Sequence, residues 1–308
     1  MPANFGIGTL GAVDELIIAS RLVHFASAAL LFGAPLYRLA IEPGDARIGG
    51  RAVEVAGAAA ALLSGIGWFA GVAATMAGGF RDALTTDLLA AVTFDTRFGH
   101  LWTARLLALI ALVAVRLAGR SSRWRDTALA VLAAGFAASL VGVGHGMTGA
   151  GHGPVVARIH MAADIVHLLC AAAWIGGLFC LGRLLYAATL GRARIEAVRA
   201  ALRRFSRLGY WAVALVLISG CINALVMVPR PASLIASDYG RVLLLKLVLV
   251  LLMVAIAIVN RVALTPPIMA GAAPAGARRL WHSVLVEQGA ALAVLAAVAW
   301  LGTIHPMP

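Results

Sequence analysis

Long runs of apolar residues, separated by short polar stretches, divide the chain into eight segments. Within each segment the apolar residues lie on every side of the helix, whereas a helix on the surface of a soluble protein has one apolar stripe. A bilayer core requires about 20 apolar residues per helix. The pattern therefore predicts an all-α, polytopic membrane helical bundle of eight transmembrane helices, at about 14–38, 55–77, 99–118, 126–145, 160–183, 207–229, 241–263 and 281–303.

Composition supports this class and gives the bundle an orientation. The 308 residues are 62% hydrophobic and 12% charged, with a net charge of +12. Seventeen of the 25 basic residues lie in the loops between spans 1 and 2, 3 and 4, 5 and 6, and 7 and 8, or at the span ends that border those loops. The positive-inside rule places those loops in the cytoplasm and both termini outside it. We therefore interpret the positive charge as a determinant of topology, with the lipid bilayer and not nucleic acid as the partner.

The two halves of the chain, about 14–145 and 160–305, match each other span by span. The matched pairs are His24 and His167, Ser64-Gly65 and Ser219-Gly220, Arg105 and Lys246, and His145 and His305. This order predicts a parallel four-plus-four internal repeat, with a pseudo-two-fold axis along the membrane normal. We expect His24 and His167 to face each other across that axis. Arg21 and Asp164, which are also equivalent, are expected to form an ion pair.

Histidines cluster on the side opposite the arginines. His160, Asp164 and His167 are spaced i, i+4 and i+7, which places them on one helix face. The glycine-rich loop before this helix adds His145, Met147 and His152. Imidazole with thioether groups selects Cu(I), while imidazole alone suits Cu(II), zinc or iron. The pattern is typical of a metal site, although hydrogen-bonded structural histidines or a structural polar network would give the same spacing.

Several runs resemble the copper resistance D (CopD) family of bacterial inner-membrane proteins over nearly the whole chain. The most specific run is Asp164-Ile-Val-His167, followed by Trp174-Ile-Gly-Gly-Leu178. Arg21-Leu-Val-His24 and Phe98-Gly-His-Leu-Trp102-Thr-Ala-Arg105 also resemble the family pattern. The resemblance suggests a division into 1–125, with helices 1–3 and a basic loop, and 126–308, with CopD-like helices 4–8.

The resemblance implies a copper-binding protein of the bacterial inner membrane that moves copper from the periplasm, with a separate periplasmic copper chaperone as partner. By family motif it assigns His145, Asp164, His167 and His24 to copper. Together with the loop and helix-face residues, the predicted metal set is His24, His145, Met147, His152, His160, Asp164 and His167. No nucleophile–base spacing or phosphate-binding loop is present, so we expect no enzymatic activity.

Two alternatives remain open from the sequence. The first is a membrane b-type haem protein for electron transfer or copper reduction. Haem b would be held between His24 and His167, because two histidines that face each other across a bundle suit six-coordinate haem. The second is a copper-binding membrane sensor or scaffold. The sequence does not determine the oxidation state of the copper ion or the oligomeric state.

Overall fold

A computed structural model describes residues 11–41, 50–83, 85–118, 122–143, 153–228, 230–271 and 273–304. Eight helices in these ranges are long and apolar enough to cross a membrane, and no described residue is in a strand. The prediction of an eight-helix membrane bundle is thereby confirmed. The helices are α1 Ala12–Ala40, α2 Arg51–Ala77, α3 Arg97–Leu117, α4 Arg123–Ala138, α5 Pro154–Thr189, α6 Ile195–Met227, α7 Asp238–Val259 and α8 Ala273–Leu301.

Shorter elements extend or connect these helices. A 3-10 turn, Ser139–Gly142, continues α4, and a π-helix, Asn260–Leu264, followed by Thr265–Ala270 continues α7. Two short helices, Phe80–Ala83 and Thr86–Phe94, lie between α2 and α3, and Ser233–Ala236 lies between α6 and α7. Helices α5 and α6 have 36 and 33 residues, so both exceed the predicted spans.

Helices α1 and α5 form the centre of the bundle. Each packs against the other and also against α4 and α8, while α1 packs on α2 and α5 packs on α6. The two central helices meet at Gly33 and Gly176. A Cβ atom on Gly33 would lie 2.5 Å from the Gly176 Cα atom, and one on Gly176 would overlap the Ala29 carbonyl oxygen. Glycine is required at this crossing because the backbones approach so closely.

The starts of α3 and α7 are built in the same way. Thr96 accepts a hydrogen bond from the Gly99 amide at 3.0 Å and donates to the Val92 carbonyl at 2.6 Å. Ser237 accepts from the Gly240 amide at 3.0 Å and donates to the Ser233 carbonyl at 2.7 Å. Both side chains satisfy an amide that the first helical turn leaves unpaired. The correspondence supports the four-plus-four repeat, which stays a prediction.

The two ends of the bundle differ in chemistry. At one end, which we call the arginine end, Arg38 of α1 bonds to Glu54 of α2 at 2.6 Å and to Asp126 of α4 at 2.9 Å. Arg116 of α3 also pairs with Glu54, so ion pairs join all four N-terminal helices. The opposite end, which we call the histidine end, contains His100 near the start of α3 and His160 near the start of α5.

Candidate functional site

The first turns of α5 carry the polar face that the sequence predicts. His160, Asp164 and His167 lie about 9, 15 and 20 Å along the helix from its first residue, at 1.5 Å per residue. His160 is fully buried, with 0% exposure. Neither of its ring nitrogens has a hydrogen-bond partner among the described residues. Most buried polar groups in proteins are paired, so this imidazole requires an explanation.

Asp164 is held by a neighbouring helix. Asn223 of α6 donates a hydrogen bond from its side-chain amide to the Asp164 carboxylate at 2.5 Å. His160 and Lys246 of α7 both interact electrostatically with that carboxylate. Tyr239, at the start of α7, is buried nearby. A carboxylate within the membrane thus has one amide donor and two basic groups around it.

His167 keeps one ring nitrogen that can bind a ligand. Its Nδ1 atom lies 3.1 Å from the Val216 carbonyl oxygen and 3.2 Å from the Ser219 hydroxyl oxygen, both on α6. A carbonyl can only accept, so Nδ1 carries the proton and donates. In the neutral ring the Nε2 atom then has a free lone pair, which is the form that ligates metals. Lys246 interacts electrostatically with this ring as well.

His24 has the same Nδ1 contacts but a different environment at Nε2. Its Nδ1 atom lies 3.0 Å from the Ala61 carbonyl oxygen and 3.2 Å from the Ser64 hydroxyl oxygen. Its Nε2 atom lies 2.6 Å from the Arg105 guanidinium, which can only donate, so the Nε2 lone pair is occupied. Arg105 in turn donates to the Phe136 carbonyl at 2.9 Å.

Aromatic rings enclose the His24 imidazole. The centroids of Trp102 and Phe136 each lie 5.4 Å from its ring, and that of Trp68 lies 5.8 Å away. His24 itself is 1% exposed. A metal ion would have to displace Arg105 and pass through this shell to reach the ring. Both ring nitrogens of His24 have hydrogen-bond partners in the described structure, and its assignment to copper stays a prediction.

The expectation that His24 and His167 face each other is wrong. Each ring is directed into its own group of helices, towards α2 and α3 for His24 and towards α6 for His167. The reason is helical periodicity: α1 and α5 meet at Gly33 and Gly176, and each histidine is nine residues earlier. Nine residues are two and a half turns, so the histidines lie on the face opposite the crossing. A haem held between these two imidazoles does not fit this arrangement.

The expected ion pair between Arg21 and Asp164 is also not formed. Arg21 donates to the Gly302 carbonyl at the end of α8, at 3.2 Å, and its guanidinium lies 4.7 Å from the centre of the Trp68 ring. Asp164 is bonded to Asn223 instead. A cation is stabilised by the unpaired carbonyls at a helix C-terminus, which explains the position of Arg21.

Part of the predicted metal set cannot be placed. His145, Met147 and His152 lie outside the described residues, as does His305, which the sequence matches to His145 in the repeat. Among the residues that are described, no group of three or more His, Cys, Asp or Glu side chains converges to hold a metal ion. The loop that carries the first three leads directly into α5, the helix of His160 and Asp164.

Asn223 is a site residue that the sequence reasoning did not include among the ligands or their supports. The available signal was an amide side chain within an otherwise apolar span, which is costly in lipid unless it has a partner. Tyr239 is likewise absent from the predicted metal set. Neither residue could be connected to Asp164 without knowing which faces of α6 and α7 pack towards α5.

Comparison with known proteins identifies the family. The sequence model described as "Copper resistance protein D-like, N-terminal domain" matches residues 12–154, and that described as "Copper resistance protein D" matches residues 199–301. The chain is 34% identical to "Inner membrane protein YebZ" of Escherichia coli (strain K12), over 94% of this chain and 98% of the relative. The chain belongs to the copper resistance protein D family.

A second relative agrees with this membership. "Copper resistance protein D" of Pseudomonas syringae pv. tomato is 30% identical, over 95% of this chain and 97% of its own length. No solved structure matches the chain. The chain is therefore a membrane protein of the copper resistance protein D family, as the sequence runs around Asp164 and His167 predict.

Proposed function

We propose that this protein binds copper within the histidine end of the bundle and takes it up from the periplasm across the inner membrane. The observation that carries the proposal is His160, which is fully buried although neither ring nitrogen has a hydrogen-bond partner among the described residues. Leaving a buried polar group unpaired costs about 1–3 kcal/mol. A bound metal ion would supply the missing partner, and membership of a copper resistance family supports copper as that ion.

We propose two neighbours on the same face of α5 as further ligands, and copper would have to draw them towards His160 because the three side chains do not converge in the described structure. The Nε2 atom of His167 has a lone pair that can coordinate the ion, and Asp164 supplies a negative charge that offsets the charge of the ion. Asn223 orients the carboxylate through its 2.5 Å hydrogen bond. Lys246 gives Asp164 a counter-charge when no metal is present. We leave His24 out of the copper site because Arg105 occupies its Nε2 atom.

The route to this site follows from the charge distribution. With the arginine end in the cytoplasm, the histidine end and both termini face the periplasm. The loop with His145, Met147 and His152 then joins α5 on the periplasmic side, where it would collect copper from a separate chaperone. Export of copper would be the opposite direction. The copper content of cells with and without the gene distinguishes uptake from export.

Copper analysis of purified protein tests the binding site. We compare wild type with His160→Gln and His167→Gln, and use His100→Gln as the matched control because His100 is exposed and bonds only to the Phe94 carbonyl. Both α5 variants should lose most of the bound copper, while the control retains it. Equal copper content in wild type and His160→Gln would overturn the proposed site. Equal helical circular dichroism in all four proteins shows that folding is not the cause.

A further inference from the structure

Two cavities lie near the arginine end, one in each half of the bundle. The cavity in the N-terminal half has a volume of only about 10 Å³, and Leu31, Val55, Ala58 and Val113 contribute to its walls. The cavity in the C-terminal half has a volume of about 390 Å³, and Trp174, Tyr210, Val213 and Val254 contribute to its walls. A volume of a few hundred Å³ is typical of a site for a small molecule.

These cavities occupy corresponding places. The histidines of α1 and α5 are 143 residues apart, the serines that bond to them on α2 and α6 are 155 apart, and the capped glycines of α3 and α7 are 141 apart. The same offsets relate residues in the walls of the two cavities. Leu31, Val55, Ala58 and Val113 of the small cavity correspond to Trp174, Tyr210, Val213 and Val254 of the large one. The same location is thus closed in one half and open in the other.

The difference is explained by the side chains at three further positions. In the N-terminal half, Arg38, Glu54 and Arg116 fill the space with buried ion pairs. The same offsets lead to residues that line the large cavity: Leu181, Gly209 and Ala257. A Cβ atom on Gly209 would meet no described atom within 4 Å. The C-terminal half therefore has small or apolar residues at the positions where the N-terminal half has ion-paired side chains.

One arginine lines the arginine-end mouth of the large cavity, and a second lies one helical turn from a lining residue. Arg261, in the π-helix that follows α7, is exposed, contacts the Ser206 hydroxyl and lies 4.2 Å from the centre of the Tyr210 ring. Arg203, one turn before Ser206, is exposed and reaches the Met269 sulfur at 3.9 Å. No described carboxylate lies within salt-bridge distance of either arginine.

The polar groups inside the cavity are mainly paired with each other. Glu287 accepts from the Asn260 side-chain amide at 2.9 Å and from the Trp174 indole. Glu287 is 2% exposed. Most of the remaining wall is aliphatic or aromatic. An occupant must therefore be apolar along most of its length and anionic where it reaches Arg261.

We propose that this cavity binds an anionic phospholipid, with one acyl tail between α6 and α7 and the phosphate group on Arg261 and Arg203. Lipid tails are as apolar as the cavity wall, so an acyl tail can fill this volume without leaving a polar group unpaired. The headgroup contact selects the lipid, because basic pockets between transmembrane helices on the cytoplasmic side bind acidic headgroups. This site is independent of the copper site at the opposite end.

Native mass spectrometry of the purified, delipidated protein tests the proposal, with phosphatidylglycerol and phosphatidylcholine added separately. Wild type should bind one phosphatidylglycerol at least tenfold more tightly than phosphatidylcholine. Gly209→Leu places a side chain in the cavity and should weaken phosphatidylglycerol binding at least tenfold. The matched control is Gly289→Leu, since Gly289 is a helical glycine that also has open space around it but does not line the cavity. The control should bind as wild type does.

A second variant separates headgroup from tail. Arg261→Gln leaves the cavity open, so it should bind both lipids and lose most of the preference for phosphatidylglycerol. Inorganic phosphate at millimolar concentration should not displace the lipid; displacement would show a simple anion site and overturn the role of the tail. Equal binding of phosphatidylglycerol to wild type and Gly209→Leu, with unchanged thermal unfolding, would also overturn the proposal.

Discussion

The crossing of α1 and α5 predicts that adding a single methyl group will destabilise the bundle. In Gly176→Ala the new Cβ atom overlaps the Ala29 carbonyl oxygen and lies 2.8 Å from the Gly33 Cα atom. The second distance falls about 1 Å short of an ordinary carbon–carbon contact of 3.5–4.0 Å. The obstructing atoms belong to backbone, so they cannot rotate away, and the two helices must separate.

The size of the effect follows from that separation. A gap of about 0.5–1 Å already forfeits a quarter to a half of the dispersion energy of the atoms along the contact. Overpacking of this kind typically costs about 1–3 kcal/mol. Alanine stabilises a helix by about 1 kcal/mol relative to glycine, which offsets part of the loss. We expect Gly176→Ala to lower the free energy of unfolding by about 0–2 kcal/mol relative to wild type, and by about 1–3 kcal/mol relative to a helical Gly→Ala change that causes no clash. Thermal or denaturant unfolding in one detergent measures both differences.

The matched control is Gly289→Ala in α8, where a Cβ atom would meet no described atom within 4 Å. This variant should be as stable as wild type or slightly more stable, because it gains helix propensity without a clash. The double variant Gly33→Ala/Gly176→Ala should cost less than the sum of the two single variants, since both act on one contact. If Gly176→Ala unfolds at the same temperature as Gly289→Ala, the reasoning about the crossing is refuted.

Three further outcomes are expected. Glu54→Gln should destabilise the protein by about 1–3 kcal/mol in unfolding measurements, because Arg116 loses its carboxylate and Arg38 keeps only that of Asp126. Thr96→Ala and Ser237→Ala should each cost about 1 kcal/mol by loss of a helix cap, and clearly different values would contradict the equivalence of the two helix starts. Asn223→Ala should weaken copper binding without removing it, because the Asp164 carboxylate remains but loses the donor that orients it. Copper titration measures the change in affinity. An unaltered affinity would show that the amide does not position the carboxylate.

The fold class could be predicted from the sequence because the bilayer imposes a simple rule. Each crossing needs about 20 apolar residues, and eight such runs are present. The polar face of α5 could also be predicted, because His160, Asp164 and His167 belong to a single helix and their spacing alone defines the face. The structure adds the contacts that these side chains make with α6 and α7.

The pairing of residues from different helices could not be predicted in the same way. The predicted repeat relates His24 to His167, and the Nδ1 contacts of the two rings are alike. A match in sequence does not say which side of each helix faces the other half. That side depends on the close contact of Gly33 with Gly176, and many Ala/Gly pairs in these helices could have formed it. Two residues that match in sequence therefore occupy similar surroundings in separate halves rather than one shared site.

The contact between Arg21 and Gly302 connects the first membrane helix to the last. A Cβ atom on Gly302 would overlap the Arg21 guanidinium, so a larger residue at position 302 would displace the arginine from its present place. During synthesis α1 is made long before α8, and an arginine within a membrane helix is costly until a partner arrives. Arg21 must therefore be accommodated temporarily by water, lipid headgroups or the insertion machinery. A chain truncated after α7 would keep the contact of Arg21 with Trp68 but lose the carbonyl that accepts its hydrogen bond, so the last helix to be made completes the environment of a charge in the first.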